Sequence, residues 1–456
     1  MKAYNTEKRC STACIPLIPV FLIIIFFSEC NTTEPPPGEK PTLTLKLEDA
    51  SCTEAWITLT TTNLQLPATV TLKQDNQTRN TINLIKADTL LYIDSLLPNT
   101  NYQYQVSSDP QSGEQQQASS NGLTVTTMDT TSHDFTFATY TFGGEAENSV
   151  LYDVAIIDEN DIWAVGEIYL LDSLGQPDPR AYNAVHWDGN QWEIKRIRYY
   201  GSCSAVEYPP LKAIWAFSVN DIIISNGGSI GRFNGNTVNL DCRVNSLLTG
   251  AIVKMWGTSN DDLYVVGNNG SIAHYQNEVW SKVESGTNLP FQDIWGAQTN
   301  TGEEQILAVA SDKFGTGGKY LVKINGNTAE HLNDIITVGV SLSGIWFIPE
   351  KKYYLVGDGI YSKHSSFEKY WQFDSIIYKI QYYPYSVRGE GINDVVICAD
   401  AGNIAHFNGV SWRIYYGETI SDRLLSVSIE DSMIIAVGSR YNNGINNNAI
   451  IYFGRR

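Results

Sequence analysis

Cysteine is scarce in this 456-residue chain, basic residues are outnumbered, and apolar runs are short beyond the first thirty positions. Each shortage closes off a class of explanation. Cys10, Cys14 and Cys30 lie in the N-terminal segment, which leaves Cys52, Cys203, Cys242 and Cys398 in the body. Four cysteines without CxxC pairs make neither a disulfide scaffold nor a zinc site. With 31 Lys and Arg against 49 Asp and Glu, the net charge of −18 repels polyanions, so nucleic acid is excluded as a partner. No stretch after Phe27 approaches the roughly eighteen apolar residues of a spanning helix. There is no GxxxxGK[ST], GxSxG or HExxH, hence no phosphate loop, nucleophile elbow or metallopeptidase helix.

What is present begins with a targeting pattern. Lys2, Lys8 and Arg9 precede the apolar run Ile15–Phe27, which stops at Ser28-Glu29-Cys30. The pattern resembles a bacterial lipoprotein signal, which implies lipidation of Cys30 and an anchor in a membrane, although Glu29 stands where that signal has a small residue. Residues 1–30 are therefore read as a signal segment. The Pro-rich NTTEPPPGEK that follows, residues 31–40, is read as an extended tether.

Residues 41–128 alternate apolar and polar side chains in seven short runs: TLTLKL, WITLTTT, TVTLKQ, TINLI, LLYIDSL, YQYQVSS and LTVTTM. Period-two alternation at this spacing predicts a β-sandwich. Leu97-Pro98-Asn99-Thr100-Asn101-Tyr102, followed by Val106, resembles the tyrosine corner of fibronectin type III domains, and Trp56 matches that family's buried tryptophan. The resemblance implies a spacer or adhesive module.

From Asp129 to Arg456 one unit recurs at about 45 residues. Its second strand reads DIWAVGE at Asp161, DIIISNG at Asp221, DLYVVGN at Asp262, QILAVAS at Gln305, KYYLVGD at Lys352, DVVICAD at Asp394 and SMIIAVG at Ser432. Third strands such as HWDGNQW at His186 and AHFNGVSW at Ala405 run into Asn-Gly or Asp-Gly hairpin turns. The fold class is thus all-β: a fibronectin type III-like sandwich followed by a seven-bladed β-propeller over 129–456. The last unit lacks a fourth strand, and the unassigned strand 134–142 is expected to supply it and close the ring. The units resemble the D-Φ-W-A-V-G and H-Φ-D-G-x-x-W propeller repeats of bacterial envelope proteins.

The repeat decides which polar residues belong to the scaffold. His186, His274 and His406 recur at one position of three units, so each is expected to bond its neighbour's backbone, with no metal ligated. Asp161, Asp221, Asp262 and Asp394 open second strands after turns, where they are expected to accept backbone N–H groups. Trp215, Trp256, Trp295 and Trp346 are expected to pack between units, and Cys398 to fill core. Cys203 and Cys242 flank the second unit and could join as a disulfide in an oxidising compartment.

Departures from the repeat are four insertions, 167–181, 198–210, 312–318 and 441–448, all in connections that open on one side of a four-stranded ring. They carry Tyr169, Asp172, Asp178, Arg180, Tyr199, Tyr200, Tyr208, Lys313 and Tyr441, a tyrosine-rich set suited to binding. Arg388 stands where four other units have Trp and is expected at the central channel. The resulting expectation is an exported protein of the cell envelope, an outer-membrane lipoprotein or cell-surface monomer without a cofactor. It binds a glycan or a protein partner on the loop-rich side, with no residue assigned to catalysis. The alternative is a glycoside hydrolase, lyase or glycosyltransferase-like enzyme working at the channel mouth, which requires convergent carboxylates.

Overall fold

The computed structural model describes residues 40–108, 117–313, 318–332, 338–364, 370–442 and 445–456. Cys30 and the signal and tether that precede Lys40 lie outside them. The described chain is all-β, with one 3₁₀ turn at Arg243–Ser246 and one helical turn at Ile377–Ile380.

The N-terminal strands are β1 (Thr42–Ala50), β2 (Ala55–Thr62), β3 (Ala68–Gln74), β4 (Gln77–Leu84), β5 (Asp88–Ile93), β6 (Asn101–Ser108) and β7 (Leu123–Thr126). They form two sheets ordered β1-β2-β5 and β4-β3-β6-β7. Alternation does the work here. In β6, Tyr102, Tyr104, Val106 and Ser108 point inward while their neighbours face water. Those inward residues join Leu45, Ile57, Leu59, Val70 and Leu72 in one core. The Tyr102 hydroxyl accepts the Leu97 amide at 2.8 Å, which pins the corner before β6.

The remainder builds seven four-stranded antiparallel sheets, spanning 150–195, 213–241, 252–282, 291–332, 342–373, 384–415 and 422–455. Second strands such as Leu263–Gly267 of Asp262–Gly267 are buried at every residue after the opening Asp, because sheets stack on both of their faces. That explains the unbroken apolar run after each Asp in the repeat. The first strand of each sheet lies against that of the next, and the first strand of the last sheet lies against Val150–Asp158 of the first, so the array is cyclic. Strand β8 (Thr136–Phe142) is the fourth strand of the last sheet, antiparallel to Ile445–Arg455 with Thr139 opposite Tyr452. Both ends of the ring's chain therefore share one sheet.

Two sides follow from this topology. Connections from first to second and from third to fourth strands leave on one side, the turn side, and all others leave on the opposite, loop side. Third-to-fourth turns are tight: Gly189, Gly235, Gly326 and Gly409 adopt φ of +92°, +84°, +54° and +95°. The sandwich docks on the turn side. Asp49 pairs with Lys351, and Glu54 Oε1 lies 2.5 Å from His364 Nε2 and accepts the Tyr92 hydroxyl at 3.0 Å. Cys52, fully buried, donates its thiol to the Asp129 carbonyl at 3.1 Å. A Cβ on Gly409 would fall 2.4 Å from Cys52 Sγ, so only glycine lets the turn and the sandwich meet there.

Candidate functional site

First strands line the axis, so a polar residue there faces the channel. Asp153 and Asp293 occupy matching positions in the first and fourth sheets. Each accepts the backbone amide of the following first strand, Ile214 at 3.2 Å and Ile345 at 3.0 Å. Each also holds a cation from across the ring. Lys254 Nζ donates to Asp153 Oδ1 at 2.5 Å and to Ser426 Oγ at 3.1 Å. Arg388 makes two 2.8 Å bonds to Asp293, whose side chain is 2% exposed. Such buried pairs add little net stability but are costly to break, about 3–5 kcal/mol when one partner is removed.

Aromatic rings surround these pairs. Trp215 and Trp295 meet edge to face at 6.1 Å, and the Arg388 guanidinium lies 5.2 Å from the Trp295 ring centre. Trp256 and Trp346 instead insert between sheets, where Gly296 and Gly389 leave the room they need: a Cβ would meet their rings at 2.5 and 2.6 Å. The inner part of the channel is a narrow cavity of about 150 Å³ lined by Asp153, Trp215, Lys254, Trp295 and Arg388.

Toward the loop side the channel widens into a mouth of about 340 Å³. Its wall carries Tyr152, Lys212, Lys254, Lys313, Tyr385 and Ser386, with the Arg388-bound Asp293, among apolar residues such as Ile252 and Leu425. Lys313 Nζ lies 4.7 Å from the centre of the Tyr385 ring. Burial, then the like charges of Lys254 and Arg423, push the Lys313 ammonium down to about 8. Lys212 Nζ lies 3.6 Å from the Tyr152 ring centre and 3.4 Å from Glu167 Oε1, and burial lowers its pKa as well. Glu167 also accepts the hydroxyls of Tyr152 and, at 2.9 Å, of Tyr169. Burial and that carboxylate push the Tyr169 hydroxyl up to about 12.

At the opposite end of the axis the sign reverses. Burial and then Asp394 and Asp431 raise the pKa of Glu390, while burial, Asp431, Glu390 and Asp158 raise that of Glu430. The channel thus runs from a cationic mouth on the loop side to an acidic end on the turn side.

The residues singled out in the sequence are distributed unevenly around this mouth. Arg388 lies in the channel and Tyr169 in the Glu167 network beside it. Tyr200 and Tyr441 are exposed on the loops, Tyr208 is half-buried, and Arg180 is exposed. Asp172 and Asp178 organise their own loop: Asp172 accepts the amides of Leu174 and Gln176 at 2.8 and 2.9 Å, and Asp178 accepts the Arg180 amide at 3.0 Å and pairs with Arg196. Tyr199 requires correction as a surface residue. It is fully buried between the first two sheets, donating its hydroxyl to the Ser229 carbonyl at 2.8 Å. Cys203 and Cys242 are joined, with Cα atoms 5.5 Å apart, and tie the second long insertion to the second sheet.

The histidines also require correction in one respect. Their partners are side chains: His186, His274 and His406 lie 2.8, 2.7 and 2.7 Å from the carboxylates of Asp161, Asp262 and Asp394 of the adjacent strand. The register places each His opposite a residue two positions beyond that Asp, the diagonal neighbour on one sheet face. Among the described residues no three His, Cys, Asp or Glu side chains converge as metal ligands would.

Lys212, Lys254, Asp153, Asp293, Tyr385 and Ser386 were not distinguished by sequence reasoning. For Asp153, Lys254 and Asp293 the available signal was a charge at a first-strand position that other units fill with Ala213 or Gly344.

No family model and no curated protein matches the chain. Among solved structures it is similar to YCF48 bound to D1 peptide, at 14% identity and a TM-score of 0.49, covering 70% of this chain and 97% of that one. It is similar to YCF48 from Cyanidioschyzon merolae at 13% identity and a TM-score of 0.45, covering 69% and 98% of the two chains. The WD40 β-propeller domain of Doa1 is similar at 13% identity and a TM-score of 0.47, covering 70% of this chain and 95% of its own.

Proposed function

We propose that this chain is a recognition protein of the cell envelope that captures a protein partner on the loop side of a seven-bladed propeller. In this reading the fibronectin type III-like sandwich is a spacer between the propeller and a lipid anchor at Cys30. The strand order β1-β2-β5 and β4-β3-β6-β7, with the Tyr102 corner, supports the sandwich assignment. Docking of the sandwich on the turn side leaves the opposite side facing away from it.

The observation that carries the reading is the apolar surface of that free side. Leu174, Val206, Val340, Tyr416, Ile420 and Tyr441 all stand exposed on its connections, with Leu174 and Ile420 each 81% exposed. Exposed aliphatic side chains mixed with tyrosines suit a protein interface better than a sugar platform, which uses flat rings and hydroxyl-bonding groups. Asp153 and Asp293, the carboxylates of the inner channel and the mouth, are each engaged by a cation and a backbone amide, an arrangement that favours binding there over general acid–base chemistry.

The test is capture from an envelope extract with the full chain and two double variants. Leu174→Asp with Ile420→Asp is expected to lose a protein that the wild type retains. Val219→Asp with Val279→Asp, on the turn side, is expected to retain it. Equal retention by both variants, or a glycan array that selects one sugar, would overturn the reading.

A further inference from the structure

We propose that the channel mouth receives a carboxylate of the protein partner, seated between Lys313, Lys254 and Lys212 and bonded by the Ser386 hydroxyl. This deepens the reading above and rests on it. The carboxylate belongs to an acidic side chain or to a chain terminus, and the two sources share one chemistry.

Cations at the mouth are paired with carboxylates, with one exception. Lys254 is matched by Asp153, Lys212 by Glu167, Arg388 by Asp293, and Arg423 by Asp400 at 3.0 Å. Lys313 forms no ion pair among the described residues: the face of Tyr385 lies beside it, and the Asp293 carboxylate, which lines the same mouth and acts on its charge, is taken up by Arg388. An ammonium withdrawn from water without a counter-charge is unstable, and it either gives up its proton or attracts an anion. One unmatched cation calls for one negative charge, as a carboxylate carries, whereas a phosphate dianion would leave the mouth over-neutralised.

Ser386 is 3% exposed, lines the same mouth, and its hydroxyl has no hydrogen-bond partner among the described residues. Native proteins rarely leave a buried hydroxyl orphaned without a functional reason. A carboxylate oxygen would satisfy it, and the second oxygen could take the Lys313 ammonium. The apolar share of the wall, Ile252 and Leu425 among it, accommodates the carbon stem that carries such a group. At 340 Å³ the mouth holds one side chain or one terminal residue.

In a chain of net charge −18, cations gather at this mouth and the carboxylates Glu390, Glu430 and Asp431 at the other end. An anion is therefore drawn to the loop side alone.

The experiment measures binding of three blocked peptides to the full chain by calorimetry at low salt. One is a tripeptide with a central glutamate and an amidated end, one its glutamine counterpart, and one an N-acetylated trialanine with a free carboxyl terminus. One or both carboxylated peptides should bind, and which one does identifies the source. The glutamine peptide should bind at least tenfold more weakly. Lys313→Met should weaken the carboxylate at least tenfold while leaving the melting temperature unchanged or raised, and Lys313→Arg should retain binding. Affinity should fall as pH rises from 7 through 9, as the ammonium held near 8 loses its proton. The inference is overturned if no carboxylated peptide binds, if the glutamine peptide binds equally, or if Lys313→Met binds undiminished. Such a failure would leave capture by the Leu174 and Ile420 surface intact, and loss of that capture with peptide binding preserved would instead remove the protein-partner reading.

Discussion

The two sides of the ring are made by the same strands, yet they differ in nearly every property a side can have. On the turn side, connections are short, glycines at positive φ close the hairpins, the channel end is acidic, and a second domain covers part of the surface. On the loop side, the long insertions emerge, one is bridged by a disulfide, and the channel opens into a cationic mouth. The difference teaches where constraint lies in a cyclic array. Hairpin turns must reverse the chain within a few residues and have few solutions, whereas the connections of the other side only have to return to the rim, and length there costs little. Variation, and with it recognition, accumulates where the backbone tolerates it.

The strongest way to break the comparison is to remove the closure that creates both sides. Deleting residues 134–142 takes away β8, leaving Ile445–Arg455 as an unpaired edge. The ring should then lose its cooperative transition in calorimetry, and an unchanged melt would mean that closure is dispensable. A smaller effect separates the channel from its two ends. Asp293→Ala strands the Arg388 guanidinium in the interior and should cost about 3–5 kcal/mol in urea unfolding. Adding Arg388→Met should recover most of that loss, because the uncompensated charge goes with it.

The smallest effect sharpens the contrast between sides by titrating one of them. Burial works to raise the pKa of Glu54, but His364 and Lys352 outweigh it and hold the carboxyl at about 2 against an ordinary 4.5. A carboxylate with a depressed folded pKa stabilises fully above its unfolded value and loses that contribution as pH falls through the folded one. The seam between sandwich and ring should therefore weaken from about pH 4.5 down to about 2, by about 3 kcal/mol in all. Glu54→Gln should be weaker at neutral pH and flat across that window, measured by chemical unfolding at each pH. Equal acid sensitivity of the variant would place the titrating group elsewhere.

Much of this architecture was legible because repetition separates scaffold from exception. Seven copies of an apolar run after an Asp or its equivalent define second strands that are stacked on both faces, and the gap in the last unit points to a strand elsewhere in the chain. Reading failed where a residue's partner lies across the ring or between sheets. Tyr199 sits in a long insertion and reads as exposed, yet Gly231 of the next sheet leaves a slot that its ring fills, 2.6 Å from where a Cβ would stand. Lys254, Asp153 and Ser426 are far apart in sequence and come from three sheets, so nothing local marks them as one cluster. Lys313 was visible as part of an insertion, but its isolation from any carboxylate was not.

The periodicity, the strand order within each unit, the side on which the long connections emerge and the tyrosine that pins the sandwich all follow from local pattern in the chain. All of these depend on neighbours within about one unit, where alternation, turn chemistry and backbone sterics act. The tertiary structure alone decided which charges meet on the axis, that the cationic mouth and the acidic end oppose each other, and that the sandwich covers the turn side. Those outcomes depend on distances between residues 95 to 310 positions apart, and such distances are set only when the ring closes.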